Sequence, residues 1–156
     1  MQLFKPISIL ASATLAIATQ TRYQFFAKSD YYQVNGNGLT FINEGANIEY
    51  FLVQNDTSST PVVLTYDDEQ QQVFFSTGPQ SKLNLTKECY GYFLELTKGT
   101  ALKTTIEDGV VSFDGSDGLH AVRGLTLPNT GDNYVVIVGG YEHGFPFTIE
   151  AKEYVG

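Results

Sequence analysis

The amino-acid sequence predicts an all-β domain, in which a β-trefoil-like barrel of short strands is favoured over a β-sandwich. Short runs rich in Val, Ile, Phe, Tyr and Thr recur from Tyr31 onward. No stretch of useful length keeps an apolar stripe at the helical period. Turn residues separate the runs at intervals that are typical of barrels, sandwiches and trefoils.

Eight runs are predicted to be strands, and clusters of Gly, Asn and Asp between them supply the positive-φ positions that tight hairpins need. The predicted strands are residues 39–42, 50–53, 62–66, 73–75, 92–96, 110–113, 134–138 and 147–149. The predicted turns are residues 35–38, 43–45, 78–79, 108–109, 114–118 and 139–140.

A repeated pattern favours the trefoil. A turn followed by an apolar residue, one further residue and an aromatic residue occurs three times, ending at Phe41, Phe75 and Phe113. Because side chains alternate along a strand, each Phe should share a face with the apolar residue two positions earlier. We therefore expect the three Phe side chains to occupy equivalent buried positions, and residues 147–149 to return the chain and close the ring.

The first 18 residues have the features of a signal peptide. Lys5 supplies one positive charge, and the apolar run that follows is too short to span a bilayer. Small residues at Ala16 and Ala18 fit the A-x-A rule, so we expect cleavage after Ala18, with Gln20 as the alternative. Cleavage after Ala18 leaves residues 19–156 as a single all-β domain. No second apolar stretch of membrane length and no GPI signal follow, so we expect no membrane anchor.

Charge and cysteine content exclude several classes of protein. Asp and Glu outnumber Lys and Arg by 17 to 9, so a polyanion such as nucleic acid would be repelled and is not an expected partner. Cys89 is the single cysteine, so no internal disulfide can form. We interpret Cys89 as a small buried hydrophobic residue, with an intermolecular bridge as the alternative.

Two sequons predict N-glycosylation of a secreted chain. Asn55-Asp56-Thr57 and Asn84-Leu85-Thr86 both match the acceptor pattern. Behind a signal peptide both would meet the glycosylation machinery, so we expect glycans at Asn55 and Asn84 on exposed turns.

No pattern of residues predicts an enzyme, a cofactor or a metal site. His120 and His143 are the two histidines, and neither lies in a catalytic motif. The carboxylates of residues 67–69 and 114–118 could bind calcium, but position twelve counted from Asp114 is Leu125 where an EF-hand needs Glu, so Asp-Gly hairpin turns are the preferred interpretation. A hydrolase built on two carboxylates brought together in space is the least favoured hypothesis.

The aromatic content leaves a carbohydrate-binding role open. The chain has no Trp but ten Tyr, most of which we expect to pack in the core or across strands. Exposed Tyr rings could instead form platforms for sugars. The candidate platform residues are Tyr31, Tyr32, Tyr90, Tyr92 and Tyr141.

The C-terminal third resembles a family of fungal cell-wall proteins. Residues 105–113 contain Ile106, one residue, Asp108-Gly109, an apolar pair and Phe113, and an apolar strand follows at residues 118–122. This phrase resembles the phialide cell-wall proteins (PhiA-like) and the N-terminal domain of small yeast cell-wall mannoproteins, and residues 144–151 are similar to their closing strand. The chain lacks cysteines that several members carry and the Ser/Thr-rich tail of the mannoproteins.

The resemblance implies a secreted structural glycoprotein of the fungal cell wall or cell surface, with no catalytic activity and no cofactor. Its expected partners are wall polysaccharide or other wall proteins. The alternative is a protein like a carbohydrate-binding module that recognises wall polysaccharide.

Overall fold

A computed structural model describes residues 19–90 and 92–156, so the predicted signal peptide and its cleavage site lie outside the described residues. The described residues form twelve strands and no helix. The strands are β1 (Gln20–Lys28), β2 (Leu39–Gly45), β3 (Ile48–Val53), β4 (Val63–Asp67), β5 (Gln72–Gly78), β6 (Ser81–Lys87), β7 (Leu94–Thr97), β8 (Thr104–Glu107), β9 (Val110–Phe113), β10 (Leu119–Val122), β11 (Tyr134–Val138) and β12 (Phe145–Glu153).

Nine of the strands form a closed ring. Their order is β1-β4-β5-β6-β7-β3-β11-β10-β12, and β12 pairs back with β1. Strand β2 attaches to β3 outside this path, and β9 and β8 attach to β12. The prediction of an all-β barrel of short strands is confirmed.

The ring closes through the pairing of β1 with β12. The two strands run antiparallel from the Tyr23–Glu153 pair to the Lys28–Thr148 pair. The predicted closing strand at residues 147–149 is therefore confirmed, and it lies within β12. Strand β1 was not predicted, because Thr21, Arg22 and Gln24 interrupt its apolar residues.

The core follows the side-chain alternation of the barrel strands. Phe147, Ile149 and Ala151 of β12 point inward, while the residues between them are more exposed. Strand β11 differs, since its first four residues are all buried, so both of its faces are covered. Phe25 and Phe51 are the largest fully buried side chains of the described residues.

The three aromatic residues of the repeated pattern are not equivalent. Phe113 is 3% exposed, whereas Phe41 and Phe75 are half-buried and their rings pack edge to face with centroids 5.0 Å apart. The prediction of three equivalent buried Phe positions is therefore wrong. Phe41 lies on β2, which pairs with β3 outside the ring, whereas Phe75 lies on β5, a strand of the ring.

The two Asp-Gly turns fold as the sequence predicts. Asp108 and Gly109 have φ values of 50° and 80°, and Asp114 and Gly115 have φ values of 49° and 83°. Two consecutive positive φ values define the type I′ turn, whose twist matches that of the flanking strands. The interpretation of these carboxylates as hairpin-turn residues is confirmed.

We expect Phe51→Ala to lower the free energy of unfolding by about 3–5 kcal/mol, because its fully buried ring would leave a cavity. Phe41→Ala is the matched control, since the half-buried Phe41 ring contacts the Phe51 ring from the edge of the core. The Phe41→Ala variant should lose clearly less of the free energy of unfolding than the Phe51→Ala variant. Urea unfolding of the two variants measures the difference, and equal losses would contradict this account of the core.

Candidate functional site

The loop that follows β1 holds Tyr31 at one end of the β1–β12 pair. The Ser29 hydroxyl donates a hydrogen bond to the Pro146 carbonyl of β12 (2.6 Å), and it accepts one from the Tyr31 backbone N–H (3.2 Å). The Ser29 N–H donates to the Asn35 side-chain oxygen (3.0 Å), which folds the loop back on itself. Tyr31 is thereby fixed next to the start of β12.

A buried amide anchors the far side of the same loop. Asn37 is 3% exposed, and its side-chain nitrogen donates to the carbonyls of Gln33 (3.0 Å) and Gln54 (2.7 Å). The bond to Gln54 ties the loop to the end of β3, and the bond to Gln33 lies within the loop. Because both amide hydrogens are used, the loop has little freedom to rearrange.

The first candidate site, the Tyr31 cleft, has a volume of about 510 Å³. Tyr31 is 45% exposed and forms its aromatic wall. Its lining includes Lys28, Asp30, Asn35, Asp117, His120 and Pro146. The cleft therefore combines one exposed ring with cationic, anionic and amide groups.

His120 presents an acceptor nitrogen in its neutral form. Its Nδ1 lies 2.7 Å from the Gly139 carbonyl oxygen. Because a carbonyl can only accept, Nδ1 must carry the hydrogen and donate, which leaves Nε2 as the acceptor. His120 lies on β10, is half-buried and lines the cleft.

The second candidate site, the Arg123 cleft, has a volume of about 460 Å³ and lies beside the first. The Arg123 guanidinium stacks on the Tyr134 ring, with its central carbon 4.2 Å from the ring centroid. The Phe145 ring packs against Tyr134 (centroids 5.7 Å apart) and against Tyr31 (5.3 Å). Gln33 also lines this cleft, and its side-chain oxygen is buried with no hydrogen-bond partner in the described structure.

Gly144 shapes the entry to the Arg123 cleft. Its φ is +121°, and a Cβ atom there would lie 2.8 Å from the Ala121 carbonyl oxygen and 2.8 Å from a Val122 methyl. The glycine lets the chain pass close to β10. His143 and Phe145, its neighbours in sequence, both line the cleft as a result.

A third cleft of about 460 Å³ lies elsewhere on the barrel. Its lining includes Tyr92, Lys87, Asp114 and Gly139. The Lys87 ammonium lies 5.5 Å from the centroid of the Tyr92 ring, which is 53% exposed. Two of the predicted platform residues are therefore placed in clefts, Tyr31 in the first and Tyr92 here.

The remaining platform candidates lie outside these clefts. Tyr32 and Tyr90 are 87% and 94% exposed. Tyr141 is 39% exposed and its ring packs edge to face on the exposed His143. Their exposure makes Tyr32 and Tyr90 useful control positions.

Glu95 is a buried carboxylate that the sequence analysis did not single out. It is 5% exposed, and one of its oxygens has no hydrogen-bond partner in the described part of the chain. Burial raises the pKa of Glu95, with a smaller contribution from the charge of Glu88. Glu95 pairs with Tyr50 across β3 and β7, and it lines none of the three clefts described above.

The two sequons have different surroundings. Asn55 is exposed in a loop whose Asp56 carboxylate accepts hydrogen bonds from the N–H groups of Ser58 (2.8 Å) and Ser59 (3.0 Å). Asn84 is half-buried within β6, so its predicted position on an exposed turn is wrong. Its side-chain nitrogen donates to the Gly99 carbonyl (2.9 Å).

Cys89 is exposed, so its interpretation as a buried hydrophobic residue is wrong. It lies in the loop between β6 and β7, beside the exposed Tyr90. Strand alternation does not apply to such a loop, which is why the apolar character of the side chain did not predict its burial. The alternative of an intermolecular bridge stays a prediction.

Three residues that shape the site carried no signal in the sequence. Arg123 and Tyr134 lie eleven residues apart, and they meet because β10 pairs with β11. Phe145 reaches them because β12 pairs with β10 on its other side. The resemblance marked residues 144–151 only as a closing strand, so the position of Phe145 in a cleft could not be inferred from it.

Residues 19–90 and 92–156 contain neither a membrane-spanning helix nor a cluster of metal ligands. No helix in that part of the chain is long and apolar enough to cross a membrane. No group of three or more His, Cys, Asp or Glu side chains there is placed to hold a metal ion.

Comparison with known proteins identifies relatives over nearly the whole chain. No family model matches the sequence, and no solved structure matches it. Cell wall protein RHD3 of Candida albicans is 34% identical over 95% of this chain, which covers 73% of that relative. Cell wall proteins PGA30 and PGA31 of Candida albicans are 30% and 31% identical over 97% of this chain, which spans about half of each, 55% and 53%.

These relatives confirm the resemblance that the C-terminal strands indicate, and they extend it to the N-terminal half. The predicted secreted, cell-wall localisation is that of these relatives. The chain therefore belongs to this family of fungal cell-wall proteins.

Proposed function

We propose that this protein is a non-catalytic, glycosylated structural protein of the fungal cell wall, which contacts wall polysaccharide or other wall proteins. The observation that carries the proposal is its similarity to RHD3, named as a cell wall protein, over 95% of the chain. A role in the wall's structure suits a barrel whose rigid β-scaffold presents exposed loops.

The surroundings of the titratable residues support a non-catalytic role. The His120 Nδ1–H donates to the Gly139 carbonyl, so His120 does not form the His–carboxylate pair of a Ser-His-Asp triad. Glu95 has the raised pKa expected of a general acid, but it lies between strands β3 and β7 rather than in a cleft. Its burial is that of a packed side chain.

We propose also that the strands form three four-strand units, as in a β-trefoil. The pairs β1–β4, β4–β5, β8–β9, β9–β12 and β12–β1 support this arrangement, since they would be the barrel pairs of a trefoil. The hairpins β2–β3, β6–β7 and β10–β11 would form its cap. A hydrogen bond from the Thr104 N–H to the Gln71 carbonyl (2.8 Å) supports the remaining link, between β5 and β8.

A second candidate function is the recognition of wall polysaccharide, as in a carbohydrate-binding module. The observation that favours it is the exposed Tyr31 ring in a cleft lined by polar side chains. An aromatic face with surrounding hydrogen-bonding groups is the usual composition of a small-molecule site.

We expect fractionation of the producing cells to recover the protein in a wall fraction, either salt-extractable or released by glucanase. The purified protein should release no soluble saccharide from glucan or chitin, with a glucanase as the positive control. Recovery of the whole protein in the culture medium would contradict the structural role. Release of saccharide would contradict the absence of catalysis.

Glycans at the two sequons should slow the protein on a gel. We expect Asn55→Gln to remove a full glycan increment, because Asn55 is exposed. Thr57→Ala is the matched control, since it destroys the same acceptor pattern without changing Asn55. Asn84→Gln should remove a smaller increment, because the folded domain uses the Asn84 nitrogen to bind Gly99. Unchanged mobility of the wild type after enzymatic deglycosylation would contradict the proposal.

Glu95→Gln should stabilise the domain at neutral pH. The folded state raises the pKa of Glu95 above its ordinary value near 4.5, so stability falls as the pH rises through the folded pKa. The variant should therefore exceed the wild type in unfolding free energy at about pH 7 and lose this advantage towards pH 4.5. Asp67 titrates below this window, because the Gln70 N–H lowers its pKa from 3.8.

Urea unfolding at several pH values measures this effect. The exposed Glu107 provides the control, because Glu107→Gln removes a carboxylate without changing a buried group. If the wild-type and Glu95→Gln stability curves stay parallel across this pH range, burial of the Glu95 charge has no energetic consequence and the interpretation fails.

A further inference from the structure

We propose that the Tyr31 cleft and the Arg123 cleft form one continuous site for a neutral wall polysaccharide chain, with Tyr31 as the ring on which a sugar stacks. This inference deepens the proposed wall function and rests on it.

The two clefts are adjacent along the same pair of strands. On β10, Leu119 and His120 line the Tyr31 cleft, while the next residues, up to Arg123, line the Arg123 cleft. On β12, Phe145 lines the Arg123 cleft and Pro146 lines the Tyr31 cleft. Strands β10 and β12 pair directly, so neighbouring residues of the same two strands line the two clefts.

Tyr31 stands at the boundary between the clefts. Its ring lines the first cleft and packs against Phe145 of the second. The residues from Leu119 to Arg123 span roughly 13 Å at the rise of a strand. This length suits several consecutive sugars better than one, so the occupant is a polymer.

The polar groups of the Tyr31 cleft match the hydroxyl groups of a sugar. Asp30, Asp117 and the His120 Nε2 accept hydrogen bonds, and Lys28 donates them. Asn35 also lines the cleft; its oxygen accepts from the Ser29 N–H, and its side-chain nitrogen is a further donor. Hydroxyl groups both donate and accept, and a lining of mixed character satisfies both.

The charges favour a neutral chain over an acidic one. Asp30 and Asp117 are balanced by Lys28 and Arg123 across the two clefts, while the whole chain carries a formal charge of −8. An anionic polysaccharide would therefore meet no net attraction at the site and repulsion at a distance. Glucan, chitin and mannan are neutral polysaccharides, so each of them avoids this repulsion.

The site is preorganised. Ser29 and Asn37 fix the Tyr31 loop through hydrogen bonds to Pro146, Gln33 and Gln54. Binding therefore does not require the loop to be ordered, which reduces the entropic cost of association.

The test is retention of the full mature domain on insoluble β-glucan, chitin and mannan, followed by titration with two-sugar and six-sugar fragments of the retaining polymer. Tyr31→Ala should weaken binding of both fragments about tenfold, the loss expected for one aromatic contact face. Arg123→Ala should weaken binding of the six-sugar fragment more than that of the two-sugar fragment, because only the longer fragment can occupy both clefts at once.

Tyr32→Ala is the matched control, since Tyr32 is the next residue and is 87% exposed but does not line either cleft. It should bind as the wild type does. Tyr31 lies outside the strands, and urea midpoints close to that of the wild type confirm that each variant is folded.

Two results would overturn the inference: binding to none of the three polymers, or equal binding by the Tyr31→Ala and Tyr32→Ala variants. A protein that is recovered in the wall fraction but binds no polymer retains the proposed wall function and loses this site. A protein that binds a polymer through Tyr31 but is secreted wholly into the medium retains the site and loses the proposed function.

Discussion

The pairing of the first strand with the last is the constraint on which the rest of the structure depends. The chain has one cysteine and no disulfide, so closure must come from backbone hydrogen bonds and apolar packing. Antiparallel pairing of β1 with β12 supplies both, because Phe25 and Ala27 enter the core beside Ile149 and Ala151. Closure also leaves no unpaired edge in the ring of nine strands, which removes the usual route to aggregation.

The clefts follow from the same closure. The loop after β1 and the turn before β12 must lie together wherever these strands meet, so Tyr31 and Phe145 come into contact although more than a hundred residues separate them. Neither segment would form a site alone. Binding residues on loops that a rigid scaffold positions are a common arrangement in β proteins.

Sequence reasoning succeeded where local chemistry decides the structure. The Asp108-Gly109 and Asp114-Gly115 turns and the apolar run of β11 depend on neighbouring residues and were predicted. It failed where strand pairing decides: Phe41 lies on β2, which pairs with β3, whereas Phe113 lies on β9, which pairs with both β12 and β8. The stacking of Arg123 on Tyr134 depends in the same way on pairing between β10 and β11. The family resemblance could be seen because the phrase around Asp108-Gly109 is local in the sequence.

The antiparallel register of β1 and β12 also fixes the end of the domain from which the chain leaves after its last strand. Tyr23 pairs with Glu153 at one end of these strands and Lys28 pairs with Thr148 at the other, where the Tyr31 cleft lies. Any segment joined beyond β12 would leave from the end opposite the clefts. In a longer chain that continued beyond β12, the Tyr31 cleft would therefore lie at the end of the β1–β12 pair away from the continuation.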